Sequence, residues 1–197
     1  SQKRLSGSIS HFLVYNSCSE AACRYAYDFA DGSMFPLLAA KGGTVDMWYD
    51  GCANYDYRCT NYLVLKDEST IPTTWQIYYH LANGSIPAAL KKVGEPVVQG
   101  QYIGHVDDTG YSTGHHLPFH VFTSFTSNYW GPSVDITFDD VPVIGGRTGT
   151  CYDVPNWPVW ATECAAGHWF TSGYWGAFPP PGTLSAPLPA TLTPPAP

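Results

Sequence analysis

The chain has 197 residues, 15% of them aromatic and only 13% charged, with a formal net charge of −7 and a pI near 5.3. That length suits one domain with or without appendages and is enough to bury a sizeable core. The acidic balance, with Lys/Arg clusters limited to Lys3-Arg4 and Lys91-Lys92, disfavours nucleic acid or an anionic membrane as partner. No apolar run approaches the ~18 residues of a transmembrane helix, so no membrane span is expected.

Ser1–Ser10 is polar and basic and reads as an arm or linker, followed by a first strand at His11–Tyr15. Alternation then predicts strands at Tyr25–Ala30, Phe35–Ala40, Thr44–Tyr49, Asn61–Lys66 and Thr73–Leu81, separated by turn signals such as Asp31-Gly32-Ser33 and Lys41-Gly42-Gly43. Ile86–Lys92 is the one plausible helix and is barely two turns long. Strand-like segments resume at Gly94–Gly100, Gln101–Val106, the run up to Phe122, and Val134–Phe138. Many short strands with regular turns and almost no helix predict an all-β fold. Composition changes after about Val143. The expected plan is an arm and first strand over 1–24, a β domain over 25–143, an aromatic extension over 144–178 and a Pro-rich tail over 179–197. The tail carries almost no charge and cannot build a core alone, so extended polyproline-type backbone is expected there. Phe170–Phe178 reads as an anchor for it on the β domain.

Six cysteines fall in three near couples, Cys18 with Cys23, Cys52 with Cys59 and Cys151 with Cys164. An even number so spaced suggests disulfides, an oxidising compartment and a secreted or cell-envelope location. Six cysteines allow about 15 pairings, so the couples rest on proximity alone. No C-x-x-C supports a cysteine metal site.

The stretch Thr109–Thr123 concentrates the chemistry. It holds three of the seven histidines, and histidine is the commonest metal ligand and the side chain that titrates near neutral pH. In an extended strand His116, Pro118 and His120 would line one face and His115, Leu117, Phe119 and Val121 the other. His115, His105 and His168 are read as ordinary polar residues.

Several segments taken together resemble the lysostaphin-type (LytM-like) zinc endopeptidases of bacterial cell walls. Tyr27-Asp28-Phe29-Ala30 resembles the D-F-A strand, and Pro36–Val45 the P-V-x-A-A-x-x-G-x-V segment. Asn61–Leu65, Tyr79-His80-Leu81 and Val93–Gly104 resemble further family segments. Thr109–Leu117 resembles T-G-x-S-T-G-x-H-L. The order and spacings hold from about residue 25 to 122. The resemblance implies an antiparallel β-sheet LytM/lysostaphin-like domain with a groove across its main sheet, here carrying a Pro-rich C-terminal extension.

It also implies a zinc held by a histidine, an aspartate and the second histidine of a terminal H-x-H, with two further histidines assisting the attacking water. Asp28 stands at the metal carboxylate, and His80 and His116 at the catalytic imidazoles. The second histidine of H-x-H is replaced by Pro118, and the first ligand position, in the H-x-x-x-D form, holds Arg24. A catalytic zinc ordinarily needs three protein ligands and an open position. The expectation is therefore a non-hydrolytic module with no cofactor and with His80 and His116 vestigial. It would bind a cell-wall peptide or an envelope or extracellular protein, or serve as a structural subunit capable of self-assembly. Exposed aromatics of Asp46–Tyr57 and Ser124–Trp130 would supply contact area. The alternative is an active zinc endopeptidase cutting peptidoglycan cross-bridges through a rearranged site. It would use Asp28, His80, His116 and a substitute such as His120, with His11 as a more distant source.

Overall fold

A computed structural model describes residues 25–30, 32–124, 131–134 and 136, together with the backbone of short strands at Lys3–Gly7, Thr137–Phe138, Trp169–Phe170 and Leu192–Thr193. The described chain is antiparallel β-sheet, as expected. Its strands are β1 (Lys3–Gly7), β2 (Ala26–Ala30), β3 (Pro36–Leu38), β4 (Gly43–Tyr49), β5 (Tyr62–Asp67) and β6 (Thr74–Tyr79), then β7 (Pro96–Val97), β8 (Tyr102–His105), β9 (Leu117–Phe122), β10 (Thr137–Phe138), β11 (Trp169–Phe170) and β12 (Leu192–Thr193). An eight-stranded sheet runs β11-β1-β2-β9-β6-β5-β4-β7, and two small ladders pair β3 with β8 and β10 with β12. No helix among the described residues is long and apolar enough to cross a membrane.

Period-two patterning sets which face of the large sheet is buried. Leu117, Phe119 and Val121 of β9 share the main core with Tyr27 and Phe29 of β2, Tyr78 of β6, Leu63 and Leu65 of β5 and Val45 of β4. Leu37 of β3 and Ile103 of β8 join the same core, as do Ile86, Leu90 and Val106 of the connecting loops. Burying a side chain of this size contributes about 1.5–3 kcal/mol, so the face is strongly specified and the register with it. A second apolar cluster of Val64, Ile77, Tyr79 and Phe122 belongs to the alternate residues of β5, β6 and β9, on the opposite face.

Two expectations need correction, and Pro118 needs placing. Ser1–Ser10 is not only an arm: Lys3–Gly7 forms β1, pairing with β2 and with Trp169–Phe170. A polar, basic segment carries no alternation signal, and it joins the sheet through its backbone. Ile86–Lys92 is not an α-helix but a single 3₁₀ turn at Ala88–Leu90 entered from Pro87. One or two turns without a capping side chain cannot offset helix nucleation. Pro118 sits in an interior strand and not on an edge, because β9 lies between β2 and β6. The partners of β9 on β6 run only from Phe119 to Phe122, so the proline is placed where that ladder has not begun. Of the cysteine couples, Cys52–Cys59 is a disulfide with Cα atoms 5.4 Å apart. The other two couples, the first strand at His11–Tyr15, and most of the aromatic extension and Pro-rich tail lie outside the described residues.

Candidate functional site

Asp28 lies on β2 directly opposite Pro118 of β9, and the ladder continues with Ala26 opposite His120. The neighbours Tyr27 and Phe29 face the core, so Asp28 stands on the opposite face, where it is largely buried. The cross-strand partner of the one carboxylate at the expected metal position is thus a pyrrolidine ring with no donor atom. Arg24 and His11 lie outside the described residues.

His80 ends β6 with a left-handed φ of 55°, a conformation rare for a residue with a side chain. A buried hydrogen-bond frame over-determines it. Its carbonyl accepts the Asp107 amide at 2.6 Å, and its Nδ1 lies 2.5 Å from the Thr109 carbonyl oxygen. Thr109 Oγ1 donates to the Leu81 carbonyl and accepts the Asn61 amide. The Asn61 side chain accepts the Cys52 amide and donates to the Cys52 and Leu81 carbonyls. Gly110, at φ +86°, closes the same frame, since a Cβ there would lie 2.0 Å from Thr60 Oγ1.

His116 Nδ1 lies 2.8 Å from the Gly114 carbonyl oxygen, and the two imidazoles meet edge to face with centroids 4.8 Å apart. A carbonyl can only accept, so in both rings Nδ1 carries a proton. Burial, and next the neighbouring His116, lower the His80 pKa to about 4 against the opposing pull of Thr109, Asp28 and Asp108. His80 is therefore neutral at pH 7. The arrangement offers one fixed, neutral imidazole, His80, whose Nε2 can accept a hydrogen bond from a ligand's N–H or O–H group, with the His116 ring held edge to face beside it.

His120 is buried, 1% exposed, and packs with Tyr79 at 6.3 Å and Phe122 at 5.5 Å between ring centroids. Its cross-strand neighbours are Ala26 and Ile77. Among the described residues, the one group of three or more metal-capable side chains with all ligand atoms within 4.8 Å of one another is Asp107, Asp108 and His115. Asp28, His80, His116 and His120 form no such group. Among the described residues, the donors around Asp28 do not make up a three-ligand zinc site.

The structure also moves His115. It does not continue the strand; it sits in the preceding turn, its Nδ1 2.9 Å from Asp107 Oδ1. Asp107 is fully buried, and burial followed by the adjacent Asp108 charge raises its pKa, with His115 opposing. Sequence reasoning passed over Asp107 and Asp108. The available signal was a pair of adjacent acids just before Thr109-Gly110. Nearby, Asp108 Oδ1 accepts the Tyr55 amide and the Gly110 amide reaches the Asp56 carbonyl. Those contacts place the exposed rings of Tyr55, Tyr57 and Tyr111 on the loops that border the histidines.

The geometry can be set beside known proteins. No curated protein matches the chain. The catalytic domain of a mutant prophage-encoded M23 protein from Enterococcus faecalis is 20% identical, with a TM-score of 0.48, over 68% of this chain and 88% of that one. The catalytic domain of lysostaphin from Staphylococcus simulans is 26% identical, with a TM-score of 0.45, over 68% and 87%. The model of peptidase family M23 matches residues 23–129. That span is more than half of the chain, runs from just before β2 to just past β9, and contains Asp28, His80 and His116 in the expected order, so the chain belongs to peptidase family M23.

Proposed function

We propose that this chain is a non-hydrolytic M23 module of the cell envelope or its exterior that binds a peptidoglycan peptide in the groove bordered by Asp28, His80 and His116. The observation that carries this reading is the pairing of Asp28 with Pro118. The residue placed to complete a metal site with that carboxylate has no donor, and no three-donor group forms there among the described residues. Without a metal, nothing on these strands lowers the pKa of water or polarises a scissile carbonyl.

What remains suits recognition. The neutral His80 imidazole presents an acceptor nitrogen to a peptide N–H group, with His116 beside it. The exposed Tyr55, Tyr57 and Tyr111 offer rigid amphipathic surface beside them. Family membership supports a wall peptide as the ligand, and the Cys52–Cys59 disulfide supports an oxidising compartment.

The test incubates the full chain with purified peptidoglycan and zinc. The expected result is co-sedimentation with the polymer, weakened by His116→Ala, and no release of new amino termini. Chelator-sensitive release that His116→Ala abolishes would replace this reading with that of an active endopeptidase.

A further inference from the structure

We propose that Asp107, Asp108 and His115 form a zinc site that is separate from the family's metal position at Asp28. Their ligand atoms already lie within 4.8 Å of one another. The three donors come from two segments, the loop after β8 and the turn before β9, which is how a cation cross-links a fold.

The state of Asp107 points to a cation. Its side chain is 1% exposed, and Oδ1 faces His115 Nδ1 at 2.9 Å. The other carboxylate oxygen, Oδ2, is buried with no hydrogen-bond partner. The nearby Asp108 amide helps the carboxylate little, while the Asp108 charge opposes it. An ionised carboxylate in such a place costs several kcal/mol unless something positive meets it. One imidazole beside two carboxylates is an incomplete answer to that charge.

The donor set selects the metal. Two carboxylates and one imidazole are borderline ligands that suit Zn²⁺, whereas Ca²⁺ and Mg²⁺ take oxygen donors almost throughout. To hold the ion, His115 would be the neutral tautomer with its proton on Nε2 and the Nδ1 lone pair toward the metal, any second ring proton passing to solvent. The close contact of His115 Nδ1 with Asp107 Oδ1, neither of which has a hydrogen-bond partner, would then give way to two metal–ligand bonds. Solvent takes the fourth position. The ion would brace the wall behind the histidine pair. The Asp107 amide holds the His80 carbonyl, Asp108 holds the Tyr55 amide, and His115 precedes His116.

The experiment is calorimetric titration of metal-stripped full-length chain with Zn²⁺, repeated with Ca²⁺. Uptake of one Zn²⁺ per chain and no measurable Ca²⁺ uptake are expected. His115→Ala and Asp107→Asn should each weaken Zn²⁺ binding at least tenfold, and Asp28→Asn should leave it within twofold. His115 is half-buried in a turn, so its variant keeps the test decisive if Asp107→Asn fails to fold. Zn²⁺ uptake that survives His115→Ala, or no uptake at all, overturns the proposal. Uptake that Asp28→Asn abolishes overturns it as well and also removes the reading of Asp28 as short of metal ligands. Peptide binding without Zn²⁺ uptake would leave the proposed function standing and this inference refuted.

Discussion

Two donor clusters border the His80–His116 pair, and both act electrostatically on His80, through Asp28 and through Asp108. Around Asp28 the backbone is strand on both sides, the register with β9 is fixed by the core face, and the residue opposite on β9 is Pro118. Around Asp107 the backbone is loop and turn, and three donors converge although no strand ladder holds them. The comparison teaches that scaffold and ligands can part company. The core face, and not the donors around Asp28, sets the register of the sheet there. Loops can gather donors a short distance away, because a loop position answers to fewer neighbours.

The comparison breaks most directly by returning the missing donors. An Arg24→His, Pro118→His double variant should bind Zn²⁺ at Asp28 at least about a thousandfold more tightly than the unaltered chain does there, roughly 4 kcal/mol. Titration in an Asp107→Asn, His115→Ala background isolates that position. No gain would mean that the sheet no longer holds the site's shape.

A second way is to loosen the frame shared by both clusters. Asn61→Ala removes three side-chain hydrogen bonds and orphans the buried Cys52 amide. It should cost about 3 kcal/mol or more in urea unfolding and shift the His80 resonances.

The pH dependence sharpens the contrast between a buried neutral imidazole and the exposed loops. The unfolded chain protonates His80 below about 6.5 and the folded chain only below about 4. Protons therefore bind preferentially to the unfolded state in that window, and stability falls as pH drops from 6.5 to 4 and levels off below. The loss attributable to His80 is about 3 kcal/mol, seen in urea midpoints across pH and flattened by His80→Gln. His105, also held low by burial, adds in the same direction.

The smallest effect belongs to the tyrosine surface. Tyr111→Ala should change stability by less than about 0.5 kcal/mol yet weaken binding to peptidoglycan several-fold. Equal binding would move the ligand away from this loop.

The β-sheet was legible in the residues where one face is buried. Leu117–Phe122 and Thr74–Tyr79 alternate because one side meets the main core, and the structure keeps both strands within a residue or two. Lys3–Gly7 was not legible, because a polar strand at the margin of a sheet is selected by backbone pairing and carries no pattern of its own. In the site, Asp28, Pro118, His80 and His116 followed from motif order. Asp107, Asp108 and His115 did not, since their convergence depends on a turn whose path no local spacing specifies. His115 was assigned to a strand face by extending the alternation two residues too far. The turn that ends at His116 carries it to Asp107 instead.

The most direct measurement is anomalous X-ray scattering at the zinc absorption edge, from crystals grown with Zn²⁺. The account predicts a peak coordinated by Asp107, Asp108 and His115, with no peak within bonding distance of Asp28. A strong peak bound to Asp28 would contradict it.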